Sequence, residues 1–381
     1  MVDTIELIAP CHFGLEAVAK REIYDLGYDV SRVEDGKVFF IGDTEAVVLS
    51  NLWLRTVERV LIHVGSFTAK TFEELFEGIR ALPWEEYIPS DGRFWVTKAS
   101  SVKSALFSTT DIQSVAKKAM VERLKKTYPL ERFAEDGADY PVRISLLKDR
   151  VTVGLDTTGA SLHKRGYRPA SGQAPISETL AAALLSLTPW KADRILVDPF
   201  CGSGTFLIEA AMMARNIAPG LERHFTAEGW MEQHVWKEAR QEARERIRPD
   251  EDPDLQGYDI DGKVLSFARD NAERAGVADA IHFQTRDVGE LSHAKPYGFI
   301  VTNPPYGERM GEDEDLFAVY KRLGEAYRRL DNWSMYVITS YQEAVKAIGR
   351  KPDRNRKVYN GMLRAYYYQY LGAKPKWKAK S

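Results

Sequence analysis

The sequence predicts an α/β protein: a doubly wound, mostly parallel sheet that ends in an antiparallel hairpin, preceded by an α+β region. Three observations predict it. The strand-like run Ile195–Asp198 meets a glycine-bearing loop and then an apolar helix at 206–214, the opening of a nucleotide-type fold. Three more strand-like runs follow, at 256–261, 281–284 and 297–301, and each runs into Asp or Asn at its C-terminal end. Near the C-terminus an Asn360–Gly361 pair reads as a hairpin turn.

Composition sets the frame. The chain has 381 residues, 44% hydrophobic and 28% charged, which suits a soluble globular protein with more than one core. Two cysteines, Cys11 and Cys201, exclude a disulfide framework and a cysteine-rich zinc site, and fit a reducing compartment. No apolar run reaches the ~20 residues of a membrane span. The first strand begins almost at Met1 with no signal peptide, so a cytoplasmic location is expected. A net charge of −2 hides three basic clusters: Lys98, Lys103, Lys117, Lys118, Arg123, Lys125 and Lys126; then Lys346, Arg350, Lys351, Arg354, Arg356 and Lys357; then the tail lysines 374, 376, 378 and 380. Each alone suits a solvated face, but three on a slightly acidic protein suggest a polyanion footprint.

Residues 1 to about 65 alternate strand and helix. Ile5–Ala9 reads as a strand, Leu15–Leu26 as a helix closed by Gly27, and Val38–Ile41 as a strand. Thr44 is expected to cap a helix at 46–54, and Arg59–Val64 to close the unit. From Thr68 to about Thr158 the pattern continues. Thr71 is expected to cap a helix through Leu82, Phe94–Val96 is a strand, and Asp111 is expected to cap a long helix. Lys117, Lys118, Lys125 and Lys126 fall largely off that helix's apolar stripe, which suits either solubility or phosphate binding. A hairpin is expected at 142–155, turned at Lys148–Asp149.

Leu162–Pro169 is basic, aromatic and broken by Gly and Pro, and reads as a domain linker; Arg165, Tyr167 and Arg168 are also candidates to touch nucleic acid. Ser177 is expected to cap the next helix. The loop Pro199–Thr205 lacks the P-loop Lys and the full dinucleotide spacing, so it is not a pyrophosphate cradle. Its preceding Asp198 favours a cation or a ligand ammonium group. Asp259 closes the second strand where ribose hydroxyls are held, and Asp287 follows the third. Residues 219–254, with Trp230, Trp236 and a charged helix, interrupt the alternation. They are expected to rim the active site or to act as a strut.

Asn303–Tyr306 follows the fourth strand. Two prolines fix φ and remove N–H donors, leaving the Asn303 amide and a backbone carbonyl as acceptors beside a ring. That combination suits a planar group bearing an NH2. A glycine loop, two edge carboxylates and this loop together call for a ligand with an amine, a ribose and an adenine, plus a flat amino-bearing substrate. S-adenosyl-L-methionine has the first set.

Asp198-Pro-Phe-Cys-Gly-Ser-Gly-Thr205 with Asn303-Pro-Pro-Tyr-Gly-Glu-Arg309 resembles the amino-methyltransferases of the class I Rossmann-like group. With Leu162-His-Lys-Arg-Gly-Tyr-Arg168 the whole chain resembles THUMP-domain RNA guanine-N2 methyltransferases of the RlmL type. The resemblance implies a ferredoxin-like α+β subdomain at 1–66, a THUMP RNA-binding domain at 67–160, a linker at 161–176 and a seven-stranded methyltransferase domain at 177–381. The fused enzyme of that type carries a second methyltransferase domain, so a single methylation is expected here. By resemblance, Asp198, Phe200, Cys201, Gly202, Ser203, Gly204 and Thr205 line the methionine end of S-adenosylmethionine. Asp259 and Ile260 hold the ribose and Asp287 the adenine amine, while Asn303, Pro304, Pro305 and Tyr306 form the base pocket, Tyr306 stacking on the base. Pro175 and Ser177 border the pocket. Cys201 is a loop residue and no nucleophile, and no metal is required. Lys98, Lys103, Lys117, Lys118, Lys125, Lys126, Arg165, Tyr167 and Arg168 are the RNA-contact candidates. Ribosomal RNA is the expected partner, with transfer RNA, DNA adenine-N6 or a non-catalytic assembly role as rivals.

Overall fold

The computed structural model describes residues 4–168, 176–306, 316–361 and 363–375. The N-terminal half contains β1 (Ile5–Pro10), α1 (Glu16–Asp25), β2 (Asp29–Glu34), β3 (Lys37–Gly42), α2 (Thr44–Trp53), β4 (Leu61–Thr68), α3 (Phe72–Ala81), β5 (Arg93–Val102), α4 (Thr109–Thr127), β6 (Asp139–Leu147) and β7 (Arg150–Asp156). Its strands form one sheet of order β2-β3-β1-β4-β7-β6-β5. Strand β4 pairs antiparallel with β7, from Leu61↔Asp156 to Thr68↔Arg150, so the stretches 1–66 and 67–160 share a continuous backbone ladder.

Local chemistry explains most boundaries. The capping box predicted at Thr71 is present, with Glu74 as its partner. Two caps lie earlier than expected. Asp43, not Thr44, accepts from the Ala46 N–H at 2.9 Å, and Ser108, not Asp111, caps α4. Both sit in extended backbone, where a short side chain reaches the first turn. Lys148 and Asp149 both take positive φ, 52° and 65°, the geometry of a two-residue hairpin turn. Strand β2 was not foreseen because its sequence, DVSRVE, is an edge strand with little apolar content.

The second half contains α5 (Glu178–Ser186), β8 (Leu196–Asp198), α6 (Thr205–Ala214), α7 (Gln233–Glu245), β9 (Leu255–Asp259), α8 (Gly262–Arg274), β10 (Ile281–Thr285), β11 (Phe299–Thr302), α9 (Leu316–Arg328), β12 (Ser334–Thr339), α10 (Ala344–Ile348), β13 (Arg354–Asn360) and β14 (Leu363–Tyr370). The sheet order is β10-β9-β8-β11-β12-β14-β13. Pairing is parallel as far as β12, and β14 and β13 then run antiparallel. The chain leaves β8 toward β9 and β10, and leaves β11 toward β12. The switch point therefore lies between β8 and β11, where open sheets of this kind bind ligands.

Two features weld the halves together. The segment read as a linker is packed: Arg165 and Tyr167 are buried, and both hold Glu209 of α6. Arg165 also donates to the Arg55 carbonyl and, at 2.8 Å, to the Leu162 carbonyl. The second weld is the insertion at 219–254. It does not rim the switch point, as one expectation had it. Trp236 stacks on Phe225 at 5.2 Å and joins the N-terminal core, while Trp230 stacks on Tyr140 of β6 at 5.6 Å. Gly220 lets the chain pass against α2, since a Cβ there would lie 2.5 Å from the Asn51 carbonyl. The insertion is a strut.

Candidate active site at the sheet switch point

Parallel pairing of Phe299 with Leu196 and Ile300 with Val197 brings the ends of β8 and β11 side by side. The loops that follow them therefore share one edge. Asp198 closes β8 with its side chain turned inward, only 2% of the residue exposed. Its Oδ1 accepts from the Thr302 hydroxyl at 2.6 Å and from the Phe200 N–H at 3.1 Å. Burial pushes its pKa up to about 7; the two hydrogen bonds oppose this, and nearby Asp259 adds to it. Among the described residues no Arg, Lys or His pairs with it. A buried carboxylate without a counter-charge is costly, and a cationic ligand group would relieve it.

The glycine loop is built to approach a ligand. Gly202 and Gly204 take φ of 50° and 79°, and Gly204 serves as the N-cap of α6. A Cβ on Gly204 would press on Phe283 at 3.1 Å and Ala268 at 3.3 Å, so the loop is seated directly on β10 and α8. Asn271 of α8 donates to the Ser203 carbonyl at 3.1 Å. The Gly202 N–H donates to Asp259 Oδ2 at 3.0 Å, and Asp259 Oδ1 accepts from the Asp261 N–H at 3.0 Å. Desolvation raises the Asp259 pKa against those two backbone donors. Next to it Ile260 is 63% exposed, an apolar side chain standing free on the sheet edge. Asp287 caps the short turn after β10 by accepting from the Gly289 N–H at 2.7 Å, with Arg322 at 3.7 Å. Cys201 is buried, and desolvation first, then Asp198 and Asp259, hold its thiol well above the ordinary range. It stays protonated and is no nucleophile.

On the other side of the switch point, Asn303 Oδ1 is buried and has no hydrogen-bond partner among the described residues. Such an orphaned acceptor costs roughly 1–3 kcal/mol unless a donor arrives. Tyr320 of α9 donates to the Pro305 carbonyl at 3.1 Å and so fixes the loop from below. Tyr306 corrects an expectation. It is 2% exposed, and its hydroxyl accepts from Asn360 Nδ2 at 3.1 Å. The ring is a foundation of the loop in this structure and offers no open face for stacking.

Comparison with known proteins decides the family. Residues 165–369 match the model described as UPF0020, RMKL-like, methyltransferase domain. This chain belongs to that methyltransferase family. Residues 6–61 match the RlmL ferredoxin-like domain and 69–156 the THUMP domain. The methyltransferase is 47% identical, over 96% of its length and 95% of the relative's, to a Bacillus subtilis protein named "Putative RNA methyltransferase YpsC". Among solved structures it resembles a "possible methylase" from Clostridium difficile 630 (47% identity, TM-score 0.94, 99% and 100% of the two chains). It also resembles SMU.472 "complexed with SAH" (42% identity, TM-score 0.91, 99% and 100% of the two chains). TrmN from Thermus thermophilus, at 21% identity and TM-score 0.68 over 97% and 100% of the chains, shares the fold.

The methyltransferase depends on S-adenosylmethionine, and its residues fit that ligand. Among the described residues Asp198 has no cationic partner, the glycine loop is open at Gly202, and Ile260 stands exposed beside Asp259. Thr302, Asn271 and Tyr320 support the site and were not foreseen; only their hydrogen bonds reveal them. Ser177 caps α5 and lies 3.3 Å from His12 Nε2, whereas Pro175 lies outside the described residues, as do Gly307, Glu308 and Arg309. Of the basic candidates, Lys98, Lys103, Lys118, Lys125 and Lys126 are exposed. Lys117 is engaged, donating to the Phe94 carbonyl and to Glu135 at 2.6 Å. Arg165 and Tyr167 are corrections: both are buried against Glu209 and present nothing to an outside partner. Arg168 also faces inward, bonded to Glu178 at 2.8 Å and to the Thr205 hydroxyl at 3.3 Å. Among the described residues no helix is long and apolar enough to cross a membrane, and no His/Cys/Asp/Glu cluster has the form of a metal site.

Proposed function

We propose that the protein methylates the exocyclic N2 amine of a guanine in RNA, with large-subunit ribosomal RNA as substrate. The observation that carries the reading is the Asn303 Oδ1 at the switch point, across from the glycine loop, buried and with no hydrogen-bond partner among the described residues. An acceptor held in that state is matched to an N–H donor, which an aromatic amine supplies twice. RNA as the substrate class is supported by the THUMP match at 69–156, by the relative named an RNA methyltransferase, and by the exposed lysines of α4 and β5.

S-adenosylmethionine supplies an electrophilic methyl group on a sulfonium. The residues of the chain prepare its acceptor. An exocyclic amine is a weak nucleophile because its lone pair is delocalised into the ring. Asn303 Oδ1 and the Pro304 carbonyl accept hydrogen bonds from the two N–H groups, which favours a more tetrahedral nitrogen with its lone pair free; one N–H proton is released to solvent once the nitrogen carries the methyl group. The prolines keep competing N–H donors out of the loop, and Tyr320 and Tyr306 hold the loop in place from beneath. Such orientation contributes several kcal/mol. Asp198 would face the donor's ammonium group, Asp259 and Ile260 would hold its ribose, and Asp287 its adenine amine. A stacked target base is first extruded, at a cost of a few kcal/mol.

Nucleoside analysis of RNA from a strain lacking the gene tests the reading. We expect one N2-methylguanosine to disappear from large-subunit RNA and to be restored by purified enzyme. Loss of a mark from transfer RNA, or of N6-methyladenine from DNA, contradicts it.

A further inference from the structure

The basic residues near the C-terminus have no part in the site described so far, yet they stand beside it. Strands β13 and β14 pair Lys357 with Tyr366 and Tyr359 with Arg364. The alternate positions Val358, Ala365 and Tyr367 are buried in the core, so the first set forms the opposite face. On that face Lys357 and Arg364 are exposed and the tyrosines half-buried. Lys357 lies 5.3 Å from the Tyr359 ring centroid and Arg364 lies 5.5 Å from that of Tyr366, while Tyr366 and Tyr368 stack at 5.9 Å and 19°.

The N-terminal half completes the surface. Phe13, in the loop after β1, is 48% exposed and meets the Tyr359 ring edge-on at 5.9 Å. Arg356 locks that loop to the hairpin by donating to the Gly14 carbonyl at 2.7 Å. The hairpin that carries the patch is tied to the site's loop, because Asn360, next to Tyr359, donates from the other face to the Tyr306 hydroxyl. From Arg354 to Ser381 the sequence contains no Asp or Glu, in a chain of net charge −2.

We infer that Phe13, Lys357, Tyr359, Arg364 and Tyr366 form a platform for a single-stranded RNA segment flanking the target nucleotide. Rings interleaved with cations suit splayed bases and their phosphates, the usual basis of single-strand recognition. An enzyme that draws out one base must hold its neighbours, and this surface is on the hairpin whose Asn360 anchors the Tyr306 end of the site's loop. The inference rests on the RNA reading above.

The test compares wild type with K357A/R364A and Y366A, thermal melts confirming that each variant folds. Three readouts are taken: calorimetric affinity for S-adenosylhomocysteine, binding of a fluorescein-labelled single-stranded RNA of mixed sequence against salt, and methyl transfer to RNA from a strain lacking the gene. We expect unchanged S-adenosylhomocysteine affinity, a KM for RNA raised roughly 10-fold or more in each variant, and kcat within about 3-fold. The log–log salt slope of K357A/R364A should be shallower by about 1.4, at ~0.7 per lost phosphate contact. Unchanged KM and slope, with the wild type still methylating RNA, overturn the platform and leave the RNA reading standing. A wild type that methylates protein or DNA and no RNA overturns both.

Discussion

Two buried carboxylates lie at either side of the glycine loop, and they differ in one respect. Glu209 on α6 is 0% exposed, and it receives Arg165 Nε at 3.3 Å, Arg165 Nη2 at 3.4 Å and the Tyr167 hydroxyl at 3.1 Å. Asp198 on β8 is 2% exposed and receives one hydroxyl and one backbone N–H, with no cation among the described residues. Burial costs both of them. Glu209 is compensated inside the fold and joins two halves of the chain. Asp198 is left partly uncompensated among the described residues, near the Asn303 oxygen that also has no partner among them, and in the proposed function a ligand ammonium group completes it. The compensated carboxylate serves the architecture of this protein, and the uncompensated one lies at its sheet edge.

The sharpest way to break the comparison is at Glu209. Arg165→Met strips that buried carboxylate of its ion-pair partner, which should cost about 3–5 kcal/mol in chemical denaturation, whereas Arg165→Met with Glu209→Leu should recover most of the loss. An unchanged midpoint in the single variant would remove the architectural role. Asp198 should behave oppositely. Its pKa rises on folding from 3.8 to about 7, so the native state binds more protons than the unfolded chain across that range. Stability therefore falls as pH rises from about 4 to 7 and is level above it, a contribution on the order of 4 kcal/mol at most. Asp198→Asn should flatten that slope, keep or raise stability at pH 8, and weaken S-adenosylhomocysteine binding in calorimetry. A variant that is both less stable at pH 8 and unchanged in binding would contradict it. The smallest effect is expected at Thr302. Removing its hydroxyl in Thr302→Val costs about 1 kcal/mol and shifts the pH dependence of stability upward, because the ionised form of Asp198 loses a donor.

The sequence shows the site more clearly than its supports. Asn303-Pro-Pro and the Asp198–Thr205 loop are each contiguous in sequence, and short strands ending in Asp or Asn announce a sheet edge, so the fold and that edge are legible. Arg165 and Tyr167 are buried against expectation, and Trp236 fits one of two readings left open, because a basic or aromatic residue looks the same whether it meets solvent or a partner distant in sequence. Glu209 lies inside an apolar helix and gives no hint that it answers Arg165. Tyr306 follows the prolines as a stacking ring would, and only Asn360, from another strand, shows that its hydroxyl is anchored.

The central claim is that Asn303 acts on the acceptor amine and not on the methyl donor. Asn303→Ala should bind S-adenosylhomocysteine within about 3-fold of wild type by calorimetry. Its single-turnover methyl transfer to RNA should fall about 10²–10³-fold, the scale of losing one preorganised hydrogen bond at the reacting group. Transfer at the wild-type rate, with the variant folded and ligand-bound, would contradict the account.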